Sequence, residues 1–134
     1  MQALLLVDHG SRTRAANDQL AELAAVVRRH LPESVELAWA HMELAEPTIE
    51  QAMSDLVRRG ATHVVVVPHM LAPGRHATDD VPRLARDAAA RHPALRVSVS
   101  ECLGVDDLLA QLIVHRAAAA GLRLRGVGFE PPQV

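Results

Sequence analysis

The chain has 134 residues, room for one domain with a real core, and 49% of them are apolar, so a globular fold is expected. One Trp, one Phe, no Tyr and a net charge of −2 supply neither stacking platforms nor a basic footprint, which excludes nucleic-acid binding. All 14 basic residues are Arg, excluding lysine Schiff-base and P-loop chemistry, and the single cysteine, Cys102, cannot form an internal disulfide.

In chain order, the apolar run Ala3–Val7 suits a central parallel strand. After a loop over His9–Arg12, Ala16, Leu20, Leu23, Val27 and Leu31 recur at helical spacing until Pro32 stops the pattern. Val35–Met42 reads as a strand, with Val35, Leu37, Trp39, His41 and Glu43 on one face. Pro47 opens a second helix, with Thr48 and Gln51 at capping-box spacing and Gly60 in the place of a C-terminal cap.

The four valines Val64–Val67 predict a third strand buried on both faces, which breaks at Pro68 into a polar loop holding His69, Arg75 and His76. Asp79 and Asp80 then stand at the mouth of a helix with Pro82 in its first turn, where carboxylates favour the helix dipole. Val97 and Val99 mark a fourth strand and Val105–Ala119 a fourth helix. Residues 1–120 thus read as one α/β domain: a four-stranded parallel sheet in three α/β/α layers. Residues 121–134 read as a tail that is ordered only where a partner covers it. No run reaches membrane-spanning length and no cleavable leader is evident, so a cytoplasmic protein without membrane contact is expected.

Ligands of open parallel sheets bind beyond the carboxyl ends of the strands. His9, Glu43, His69 and His76 all follow strand ends and should collect on that edge. Histidine is the commonest metal ligand and ordinarily titrates near neutrality. His9 and His76, with Glu43 or His69 nearby, would suit Co²⁺, Ni²⁺, Fe²⁺ or Zn²⁺. His41 is either a half-buried strand residue or part of this lining, whereas His30, His63, His92 and His115 read as helix-end or surface residues. Arg12 and Arg75, beside the two histidines, suit an anionic substrate. Ser11 has no G-x-S-x-G elbow around it and is not a nucleophile.

The segments Leu5–Arg12 with Ala16-Asn17, Glu43–Ile49, Val67–His76, Asp80-Val81-Pro82 and Leu103-Gly104 together resemble the class II tetrapyrrole chelatases. The likeness is to the short sirohydrochlorin cobaltochelatase and ferrochelatase type, and it spans about residues 3–116. It implies insertion of a divalent metal into a tetrapyrrole without ATP; within the class Co²⁺ is expected before Ni²⁺ or Fe²⁺, with an anionic tetrapyrrole as substrate and no organic cofactor. It implies His9 and His76 as the catalytic, metal-binding pair, with Glu43 the acidic neighbour in the cleft; Ser11, Arg12 and Arg75, beside them in sequence, are the candidates for holding the substrate. It also implies a homodimer, because longer members carry two such units in one chain. Two positions depart from the pattern: His69, usually aromatic or apolar, and His41, usually Phe, add two imidazoles as further ligand candidates. A metal-binding protein without catalysis is the rival from another class.

Overall fold

The computed structural model describes residues 1–124 and shows four parallel strands with helices between them. In chain order these are β1 (Gln2–Asp8), α1 (Arg14–Arg28), β2 (Glu36–His41), α2 (Ile49–Arg58) and β3 (His63–Pro68). Then come α3 (Val81–Ala89), β4 (Arg96–Val99) and α4 (Asp107–Ala119). The sheet order is β2-β1-β3-β4. β1 is central as expected, and its neighbours are reached by connections leaving in opposite directions. That reversal opens a crevice beyond the carboxyl ends of β1 and β3.

Local chemistry explains the element boundaries near the site. Thr48 and Gln51 form the expected reciprocal cap, with Gln51 N–H donating to Thr48 Oγ1 at 3.1 Å and Thr48 N–H to Gln51 Oε1 at 2.9 Å. Behind it, Ile49, Met53 and Leu56 meet Leu5, Val7, Val64 and Val66 in the main core. Full burial of each such side chain is worth about 1.5–3 kcal/mol. On the opposite face, α1 adds Leu20 and Ala24, with Leu23 half-buried beside them, to a smaller cluster around Leu6.

Two expectations change. The valine strand is not buried on both faces: Val64 and Val66 are buried, while Val65 and Val67 are half-buried. The reason is α4, which buries none of its residues and leaves Leu108 and Ile113 exposed at 67% and 62%. The loop expected to hold His76 changes too: α3 begins at Val81 with Asp80 at its N-cap, as its carboxylates suggest, but a helical turn precedes it. A π-helical turn over His76–Asp80 runs directly into α3, lifting His76 out of the loop and onto a helical turn. Of the 121–134 tail, residues 125–134 lie outside the described residues.

Candidate metal centre

His9 leaves the end of β1, and the ladder continues past the strands to hold it. Met42 N–H donates to the Asp8 carbonyl at 2.8 Å and Glu43 N–H to the His9 carbonyl at 3.1 Å. The turn after His9 depends on Gly10, whose φ is +91°; a Cβ there would run into the Glu43 carbonyl. Glu43 is thereby drawn against His9, with Oε1 at 3.2 Å from Nε2. Two donors each about 2.1 Å from a tetrahedral ion stand about 3.4 Å apart, so this pair is already close to a chelating separation. The other His9 nitrogen, Nδ1, lies 3.1 Å from the Gly10 carbonyl, an acceptor that fixes the ring.

His76 arrives from the other side of the crevice. Its ring stands edge-on to that of His9, with centroids 4.6 Å apart and planes at 72°. The π-helical turn sets Asp80 under it, and His76 Nδ1 lies 2.8 Å from Asp80 Oδ2. With Nδ1–H donating to the carboxylate, Nε2 keeps its lone pair for a cation. This bond to His76, ahead of the contribution from Arg83, holds the Asp80 carboxyl below the usual aspartate value. The pairing is therefore complete above the ordinary aspartate range and is lost only as pH falls through the lowered value.

Asp80 was placed at the helix mouth for its dipole; the structure gives it the orientation of a site histidine. The four-residue spacing His76–Asp80 was the available signal, hidden because the π-helical turn is not announced by periodicity. Asp8 and Asn17 were also passed over. Asn17 receives the Ser11 N–H at 2.9 Å and donates to the Ser11 carbonyl at 2.7 Å, clamping the loop. The Ser11 hydroxyl accepts the Thr13 N–H at 3.0 Å, which gives it a local bond at the start of α1.

The remaining candidates divide. Arg12 and Arg75 are exposed, and among the described residues neither guanidinium has an ion-pair partner. His69 is half-buried beyond β3; its N–H donates to the Val7 carbonyl at 2.6 Å, but its ring makes no bond to His9 or His76 among the described residues. His41 leaves the ligand set altogether. Its side chain is 2% exposed, with Nδ1 2.6 Å from Asp8 Oδ1, so an ion arriving from solvent does not meet it. Among the described residues no three His, Cys, Asp or Glu side chains enclose an ion together. The site is thus an open pair of histidines with one carboxylate on each. Of the other histidines, His63 contacts Ser98 Oγ at 2.9 Å and His92 contacts Ser54 Oγ at 3.2 Å, both away from the crevice.

Comparison with known proteins agrees with this placement of the fold. The chain is 35% identical over 121 residues to the sirohydrochlorin ferrochelatase of Bacillus subtilis, covering 90% of this chain and 46% of that relative. It is 29% identical over 130 residues to the sirohydrochlorin cobaltochelatase of Sulfolobus acidocaldarius, covering 97% of this chain and 100% of the relative. The sirohydrochlorin chelatase SirB from Bacillus subtilis subspecies spizizenii, solved in complex with cobalt, superposes with a TM-score of 0.81 at 36% identity. That match covers 88% of this chain and 50% of SirB. The chain spans about half the length of several curated relatives it matches, among them the Bacillus subtilis enzyme. The family model CbiX matches residues 3–120, and the chain belongs to the CbiX family.

Proposed function

We propose that this chain is a sirohydrochlorin chelatase subunit, placing a divalent metal into a sirohydrochlorin-type tetrapyrrole without ATP. The observation that carries the reading is the His9–His76 pair at 4.6 Å, each ring with its own carboxylate neighbour. Insertion breaks two pyrrole N–H bonds, forms metal–nitrogen bonds and releases two protons. The imidazoles hold the cation through Nε2, and as it passes to the macrocycle the two freed lone pairs take those two protons. Few protein ligands leave coordination positions open, which suits an ion that must be handed on. The guanidiniums of Arg12 and Arg75, which have no ion-pair partner among the described residues, hold peripheral carboxylates of the macrocycle, and Ser11 lies in the same loop as Arg12. Co²⁺ is favoured because the relative matched over its whole length is named a cobaltochelatase, although imidazole serves Fe²⁺ and Ni²⁺ as well.

The deciding experiment mixes the protein with sirohydrochlorin and each of Co²⁺, Fe²⁺ and Ni²⁺ while recording the tetrapyrrole absorbance. The expected result is metal uptake well above the protein-free rate, fastest with Co²⁺. Bound metal without any acceleration would instead identify a metal-binding protein.

The reading includes a homodimer. Several relatives are about twice as long, and α4 leaves Leu108, Leu112 and Ile113 exposed at 67%, 37% and 62%. A second copy covering α4 would remove this apolar surface from water and stand as the other wall of the cleft. Sedimentation should give a particle of twice the chain mass, and Ile113→Asp should shift it to a monomer with reduced turnover. A fully active wild-type monomer would refute the second copy.

A further inference from the structure

Among the described residues, the Asp8–His41 bond is a buried polar feature close to the site that the chemistry above does not use. Asp8 and His41 are directly paired in the β1–β2 register, the last pair before the chain leaves the sheet with His9 on one side and Glu43 on the other. They continue a face whose earlier pairs, Leu4–Leu37 and Leu6–Trp39, are apolar. At this end the pair changes to a histidine 2% exposed and a carboxylate 19% exposed, joined at 2.6 Å. A buried ion or hydrogen-bonded pair stabilises no better than apolar side chains of the same volume, so stability alone does not account for it. The bond does supply direction, tying two backbones at a fixed offset. The β-carbon of His41 also lies 3.2 Å from the place a Gly10 Cβ would occupy, so the root of this side chain abuts the turn that aims His9.

We propose that His41 is a positioning residue: through Asp8 it fixes the separation of His9 and Glu43, and thereby the affinity of the site for a divalent cation. Its own ring does not touch the ion. This rests on the chelatase reading of the site and deepens it, because it adds one buried side-chain bond to the backbone ladder and the Gly10 turn that register the donor pair.

The test titrates Co²⁺ alone, without tetrapyrrole, following its visible absorption and the thermal stability of each protein. His41→Phe keeps a planar ring of similar size and removes the bond to Asp8. Its half-saturating Co²⁺ concentration should rise about tenfold, with an altered visible spectrum. His41→Asn places an amide N–H where Nδ1–H was and should recover most of the affinity. Recovery is the signature that a space-filling role does not produce. His41→Phe binding Co²⁺ like the wild type, or both variants losing affinity alike, would overturn the proposal. Should His41→Phe not fold, His41→Asn decides by itself: near-wild-type affinity and spectrum support the bond, and a tenfold loss overturns it. A wild-type protein that binds no Co²⁺ sinks the metal site itself, and this inference with it.

Discussion

Replacing either His9 or His76 with alanine should cut the rate of metal insertion by about 10²–10⁴, the range for losing a positioned acid–base group. Their side chains are 44% and 52% exposed, so truncation uncovers no core. Surface changes of this kind normally move stability by no more than about 0.5 kcal/mol. The rate loss is therefore separable from unfolding by a melting curve on the same samples. Asp80→Asn provides the intermediate step: an amide oxygen still accepts from His76 Nδ1–H, but the charge that strengthens the bond is gone. About a tenfold loss is expected. The order wild type, Asp80→Asn, His76→Ala, read as initial rates from tetrapyrrole absorbance, tests the pairing as well as the ligand. A His76→Ala protein with undiminished turnover would remove His76 from the chemistry.

Gly10→Ala should be the most damaging single change that leaves every functional side chain in place. Gly10 has φ +91°, a conformation that costs an L-residue about 1–3 kcal/mol. The added methyl would also overlap the Glu43 carbonyl, which belongs to backbone and cannot rotate away. Its only relief is separation of the His9 and Glu43 segments, whose side chains must stay at their 3.2 Å spacing to share an ion. Stability and activity should therefore fall together, with the rate down about a hundredfold even below the melting transition, since displacements of about 1 Å have that effect. Gly74, whose added Cβ would meet nothing within 4 Å, is the matched control, and Gly74→Ala should melt like the wild type. Equal melting curves for Gly10→Ala and Gly74→Ala would show that the turn is not strained as described.

The strands and helices were legible because their periodicities are local. A central β1, the Thr48–Gln51 cap and the parallel order all follow from spacing that a core of Leu5, Met53, Leu56 and Val66 then satisfies. The site was legible in part. His9 and His76 stand out as histidines after strand ends, and their meeting follows from strand order. Asp80 stands where it was expected, at the N-cap of α3, but its bond to His76 was not legible, because no apolar stripe announces the helical turn that brings the two together. His41 was drawn toward the site because alternation gives the face a side chain occupies but not its depth. The two-sided burial expected of β3 failed because α4, helical by its own pattern, buries none of its residues and so does not cover that face of the sheet.

What the sequence by itself determined is the parallel α/β architecture and the residue types on its carboxyl edge, since both depend on patterns within short segments. Only the tertiary structure decided the partners. It set Asp80 against His76, Glu43 against His9, and buried His41 against Asp8, because each pairing joins elements through register and turn geometry. Hydrogen bonds between side chains act over about 3 Å, and no one-dimensional spacing carries that distance.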